Sequence, residues 1–209
     1  MARRLDESER AFLQQAARQR VTTYDGHTWE FFDVGKPSSS VAPLVCLPST
    51  TGSPKIFHLQ ATELALKGYR IIAVMRTESD QLTLPPRHLL EQLPRQQDKN
   101  PAHVQAVDYI ADQVSKLTQQ EAACLLTLQC QPCDPTSWQL GISDDKITLI
   151  DSHSETTLPL QVRDELEHRY KHAKRALIKD AGDFPFLSHY EEVNMHLQVH
   201  LRAHGVHQR

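Results

Sequence analysis

The stretch from Pro43 to Met75, PLVCLPSTTGSPKIFHLQATELALKGYRIIAVM, decides the fold. PLVCLP is a short apolar run between two prolines. It reads as a buried strand, because a strand covered on both faces shows no polar alternation. SPKIFHLQATELALKGY reads as an amphipathic helix that starts near Ser53-Pro54 and stops at Gly68. YRIIAVM is a second buried strand. Strand, helix and strand in such close succession form a βαβ unit, and a βαβ unit implies a parallel sheet. The class is therefore α/β.

Upstream, residues 1–20 form a helix-like segment, and RVTTYDGHTWEFFDVG reads as a hairpin turning at Asp25-Gly26. Downstream, residues 76–101 are polar and carry four prolines; they read as an irregular linker, in which RHLLEQL could form two helical turns. Two helices are expected over His103–Leu117 and Gln119–Leu128, and with the loop CQPCDPTSWQLGISDD they make 102–140 a helical, cap-like region. KITLID is a strand, LQVRDELEHRYKHA a helix, KRALIKD a strand, and HYEEVNMHLQVHLRAHG a last helix capped by Gly205. Residues 1–209 are expected to form a single domain.

A hydrophobic content of 39% supports a packed core, and a mean hydropathy of -0.50 with a formal charge of -3 reads as soluble, with no electrostatic case for nucleic acid. No apolar run approaches the ~18 residues of a membrane span. The first residues, MARRLDESERAFLQQAARQR, lack the apolar core of a signal peptide, and Asp6, Glu7 and Glu9 argue against a mitochondrial transit peptide. Cys46, Cys124, Cys130 and Cys133 are then expected as reduced thiols in the cytosol.

Several patterns carry possible chemistry. Cys130-x-x-Cys133 follows a helix and leads into Asp-Pro, whereas redox chemistry wants the pair at a helix N-terminus; two ordinary thiols are the better reading. His196, His200 and His204 share a helix face, with His207 beyond, but no Glu stands as in H-E-x-x-H, so neither a metal nor a cofactor is expected. LPSTTGSP leaves a strand, holds Gly52 and enters a helix; Pro48, Ser49, Thr50, Thr51 and Gly52 could form part of an oxyanion hole. The nucleophile that such a loop would serve sits on G-x-S-x-G. The seven glycines are 26, 35, 52, 68, 141, 182 and 205, no two of them four apart, so that motif is absent.

IKDAGDFPFL, Ile178–Leu187, reads like the loop that delivers the catalytic histidine in many hydrolases, with Asp183 where they have histidine. Together with GYRIIAV, AVDYIADQVSKLTQQEAACLLTLQCQ, ITLID and the long final stretch, it resembles the maspardin family, a divergent branch of the α/β-hydrolase fold. The resemblance covers Val21–Val74 and, more closely, Leu84–Gly205. It implies a three-layer α/β sandwich with a mostly parallel sheet. It also implies that roughly three βα units of about 30 residues each are missing after Met75, including the serine elbow, so the chain reads as a shortened isoform. In that family the Gly-x-Phe-Pro position already holds asparagine. Ser154 falls where hydrolases place the triad acid, with Glu155 beside it, and Asp151 is a turn residue. A carboxylate cannot do the work of a neutral imidazole that takes a serine proton.

The resemblance therefore implies a non-catalytic interaction protein, cytosolic and peripherally associated with endosomal and trans-Golgi membranes. Its implied partners are the cytoplasmic tail of a T-cell co-receptor, which it would regulate negatively, and an aldehyde dehydrogenase-like protein. The alternatives are a residual serine hydrolase using Ser49, Thr50 or Thr51 with His153, and a truncated product without stable function. With the central strands gone, Leu44–Leu47 is expected to pair directly, in parallel, with Ile147–Ile150, because buried unpaired backbone groups cost ~1–3 kcal/mol each.

Overall fold

The structure is a computed structural model that describes residues 5–37, 41–48, 53–76, 100–130, 141–152 and 160–206. Helix α1 (Leu5–Gln15) turns Glu9 and Phe12 inward. Strands β1 (Arg18–Thr22) and β2 (Thr28–Val34) form the expected hairpin, β3 (Leu44–Cys46) is the strand of PLVCLP, and β4 (Ile71–Arg76) that of YRIIAVM. Between them a 3-10 turn, Pro54–Phe57, leads into α2 (His58–Leu66). The helix thus starts as Ser53-Pro54 announces, with one tighter turn in front. Then follow α3 (Pro101–Ser115), α4 (Gln119–Cys130), β5 (Thr148–Ser152), α5 (Leu160–Arg169), β6 (Lys174–Ile178), the one-turn α6 (Pro185–Ser188) and α7 (Tyr190–Ala203).

The first sheet has the order β1-β2-β4-β3, antiparallel across β1-β2 and β2-β4 and parallel across β4-β3. Glu30 stands opposite Met75, Phe32 opposite Ala73 and Val34 opposite Ile71. Side chains alternate along a strand, so these residues share one face. Phe12 and Ala16 behind α1, Ala61 and Leu64 of α2, and Leu201 of α7 pack with Phe32, Tyr69 and Ile71. A second cluster gathers Ile56, Met75, Phe184 and Leu187 around Ala106, Tyr109, Ile110 and Val114 of α3, so this helix lies in the largest core. Asn100 caps it, its Oδ1 accepting from the Ala102 amide at 3.0 Å, with Pro101 in the first turn.

Among the described residues the second sheet holds only β5 and β6, parallel, from Thr148 opposite Lys174 to Ser152 opposite Ile178. One face packs Ile150 and Ile178 on Val193 of α7. On the other face α5 is held by ion pairs, Arg163 to Asp151 at 3.6 Å and Arg175 to Glu167 at 2.6 Å, and buries no residue of its own. Helix, sheet and helix stack as three layers here.

The expected pairing of Leu44–Leu47 with Ile147–Ile150 does not form, and of the four pairings among the described strands only β3-β4 and β5-β6 are parallel. The reason is α7. It packs against β5 and β6 through Val193 and against the first sheet through Leu201. The Thr148 hydroxyl and His200 Nδ1 are 2.8 Å apart, and Asn194 Nδ2 donates to Glu63 Oε2 of α2 at 2.8 Å. One helix thus buries apolar surface of both sheets at once. Among the described residues β3 has no strand on its outer side, and Val45 and Leu47 beside that edge are 52% and 67% exposed.

Candidate functional site

The loop after β6 is pinned at every carbonyl from Asp180 to Gly182. Asp180 and Gly182 have φ of 49° and 68°. His103 Nε2 donates to the Asp180 carbonyl, Ser188 Oγ to that of Ala181 at 2.5 Å, and Ser152 Oγ to that of Gly182 at 2.7 Å. A Cβ on Gly182 would lie 3.0 Å from Cγ of the His103 ring, so only glycine lets α3 approach this closely. Asp183 follows, half-buried. Two histidines flank the loop, His103 and His189, with ring centroids 5.9 Å apart. His103 spends its Nε2 proton on a backbone carbonyl, which makes it a brace.

The 3-10 turn and α2 meet the one-turn helix that follows this loop. Phe57 and Phe186 stack with centroids 5.6 Å apart, and Gln60 Nε2 donates to the Phe186 carbonyl at 2.7 Å. Of the residues singled out from the sequence, Pro48 sits half-buried at the end of β3 and Asp183 in the pinned loop. Ser49, Thr50, Thr51, Gly52, His153 and Ser154 lie outside the described residues, as do Cys133 and His207. The structure therefore joins the start of α2 to the segment that follows the pinned loop, in which Asp183 stands.

The other candidates resolve locally. Burial pushes the Cys46 thiol up to about 12, so it stays protonated. His200 and His204 rings lie 4.7 Å apart, and His200 is shifted below its ordinary value by burial, then by His204 and Lys174. Among the described residues no three His, Cys, Asp or Glu side chains converge as metal ligands would.

One pair escaped the sequence reading. Ser8 Oγ of α1 lies 2.9 Å from His58 Nε2 at the start of α2, and His58 Nδ1 lies 3.0 Å from the Lys55 carbonyl. Ser8 Oγ also donates to the Leu5 carbonyl at 3.0 Å, so its single proton is shared between that carbonyl and His58 Nε2 and the pair is not arranged as an activated serine. His58 is fully buried, and burial holds it below its usual value against the opposing effects of the Lys55 carbonyl and Glu9. Ser8 and His58 are 50 positions apart on different helices, so no spacing signal could have found them.

No protein-family profile matches the chain. It is 24% identical to maspardin of Danio rerio over 254 positions, covering 87% of this chain and 81% of that protein. It is 25% identical to maspardin of Homo sapiens, covering 87% of this chain and 82% of that one. The 254 positions exceed the chain's 209 residues, so the alignment crosses positions this chain lacks. Among solved structures it is similar to a thermophilic esterase from Thermogutta terrifontis, with a TM-score of 0.62 at 13% identity, covering 90% of this chain and 99% of that one. The fold is that of the α/β-hydrolases.

Proposed function

We propose that this maspardin-like chain of α/β-hydrolase fold acts by binding other proteins and does not hydrolyse esters. The observation that carries the reading is Asp183, an acid standing after Gly182 in a loop braced on three sides by His103, Ser152 and Ser188. A rigid carboxylate there cannot relay a serine proton. The likeness to maspardin supports the proposed setting: cytosolic, with peripheral association at endosomal and trans-Golgi membranes, engaging the cytoplasmic tail of a T-cell co-receptor as a negative regulator, and an aldehyde dehydrogenase-like protein. No helix among the described residues is long and apolar enough to cross a membrane.

The test is labelling with a fluorophosphonate and turnover of a p-nitrophenyl ester. Neither should rise above background, and Asp183→His should not create activity. Stoichiometric labelling would overturn the reading. One second reading, a hydrolase with its nucleophile on α1, requires the Ser8 proton to leave the Leu5 carbonyl for His58 Nε2. In that case the label maps to Ser8 and disappears in His58→Ala.

A further inference from the structure

We propose that the end of the second sheet from which β5 and β6 start is a docking surface for an anionic lipid membrane. Residues 168–179, HRYKHAKRALIK, hold five lysines and arginines and no acid, in a chain whose net charge is -3. The fold adds positive charge from two other elements to this run. Lys174 stands opposite Thr148, whose hydroxyl lies 2.8 Å from His200 Nδ1 of α7. The His204 ring meets that of His200 edge-on, with centroids 4.7 Å apart. Hydrogen bonding from Ser143 first, then Lys146 and His204, hold the Asp145 carboxyl below its usual range, so the turn Asp144–Lys146 before β5 lies beside the end of α7. Lys146, Lys174, the turn holding Lys171 and His172, and the last turn of α7 with Arg202 thus share one end of the molecule.

Three features define the partner. The first is uncommitted charge. Lys146, Lys171, Lys174 and Arg202 are exposed, and none of them makes an ion pair among the described residues, whereas Arg163 and Arg175 of the same layers do. Asp144 and Asp145 offset only part of this charge. The second is placement. The cations stand on turns and at a helix end, and long side chains there can follow a broad plane of phosphates. The third is apolar surface beside the charge. Ile142, just before the turn that holds Lys146, is 55% exposed, and Val199, next to His200, is 56% exposed. A membrane interface buries such side chains beside lysine stems, and an acidic peptide or a nucleic acid has no use for them. Basic charge and a small apolar contribution are each weak, and together they hold a protein reversibly on an anionic bilayer. The inference rests on the peripheral membrane association proposed above and gives it a surface.

The experiment is flotation of the full chain with phosphatidylcholine vesicles that contain or lack phosphatidylserine. The chain should float with the phosphatidylserine vesicles only, and raised salt should release it. Lys171→Gln combined with Lys174→Gln should weaken binding about 25-fold, since each cation near an anionic surface contributes about fivefold. Arg10→Gln combined with Lys116→Gln removes the same charge from α1 and α3 and should leave binding unchanged. Val199→Ser should weaken it severalfold. Melting temperatures should hold throughout, because every substituted side chain is exposed. Flotation with neither kind of vesicle would overturn the proposal together with peripheral membrane association itself. Flotation that survives the Lys171 and Lys174 substitutions would overturn this surface alone. Release from the vesicles by polyglutamate at matched charge, with the peptide bound more tightly than the lipid, would reassign the surface to an acidic protein and overturn the membrane assignment.

Discussion

The two sheets differ in how much core each owns. The first has four strands, and eight buried side chains contributed by α1, α2, α7 and the strands lie on one of its faces. The second has two strands and only Ile178, Ala181 and Val193 in its cluster. A two-stranded sheet is marginal in water unless something packs on it. Here α7 does so, and α7 is simultaneously part of the first core through Leu201. The second sheet therefore borrows its stability, and the loan runs through one helix.

The sharpest way to break this comparison is to weaken each side separately. Leu64 is fully buried in the first core, and Leu64→Ala should cost about 3 kcal/mol and lower the melting temperature of the whole chain. Val193→Ala should cost about 1–2 kcal/mol. It should speed hydrogen exchange of the β5 and β6 amides while those of β4 keep their protection. Equal acceleration in both sheets would show that they unfold as one unit.

Two glycines sharpen the contrast at smaller amplitude. A Cβ at Gly35, where φ is 100°, would sit 2.3 Å from the Tyr69 carbonyl oxygen, and backbone cannot step aside. Gly35→Ala should cost about 2–3 kcal/mol. At Gly182 the obstacle is the His103 ring at 3.0 Å, a side chain that can shift, so Gly182→Ala should cost about 1–2 kcal/mol. Urea midpoints of the two variants measure the difference; the reverse order would mean that the loop after β6 is the stiffer element.

The smallest effect is that of pH. Burial holds folded His58 below the ordinary histidine value of 6.5. The unfolded chain therefore takes up the proton first, so this stability is present above about pH 6.5 and is lost as pH falls below it. The groups around the ring are Ser8, Glu9, Lys55 and Tyr109, whose own hydroxyl is pushed up by burial and by Glu9. Unfolding free energy should fall between pH 7.5 and 5.5, and His58→Gln should flatten that slope. A slope unchanged in the variant would assign it to other groups. His200, the counterpart on α7, shifts in the same direction but is far more exposed and should contribute less.

Much of the architecture was legible before any coordinates. The apolar runs of PLVCLP and YRIIAVM with Ser53-Pro54 and Gly68 between them announced β3, α2 and β4, because periodicity and helix punctuation are local properties of the chain. That an acid, Asp183, follows Gly182 in the loop after β6 was equally plain, since the residues of a short motif are read directly. The sequence by itself thus determined the elements and the identity of the residue at the end of β6. Tertiary structure alone decided which strands became neighbours and that Ser8 met His58. The physical reason is that burial has no direction and no sequence range. The apolar face of α7 packs on both sheets at once, through Leu201 on one and Val193 on the other, a contact that no local pattern in its sequence announces.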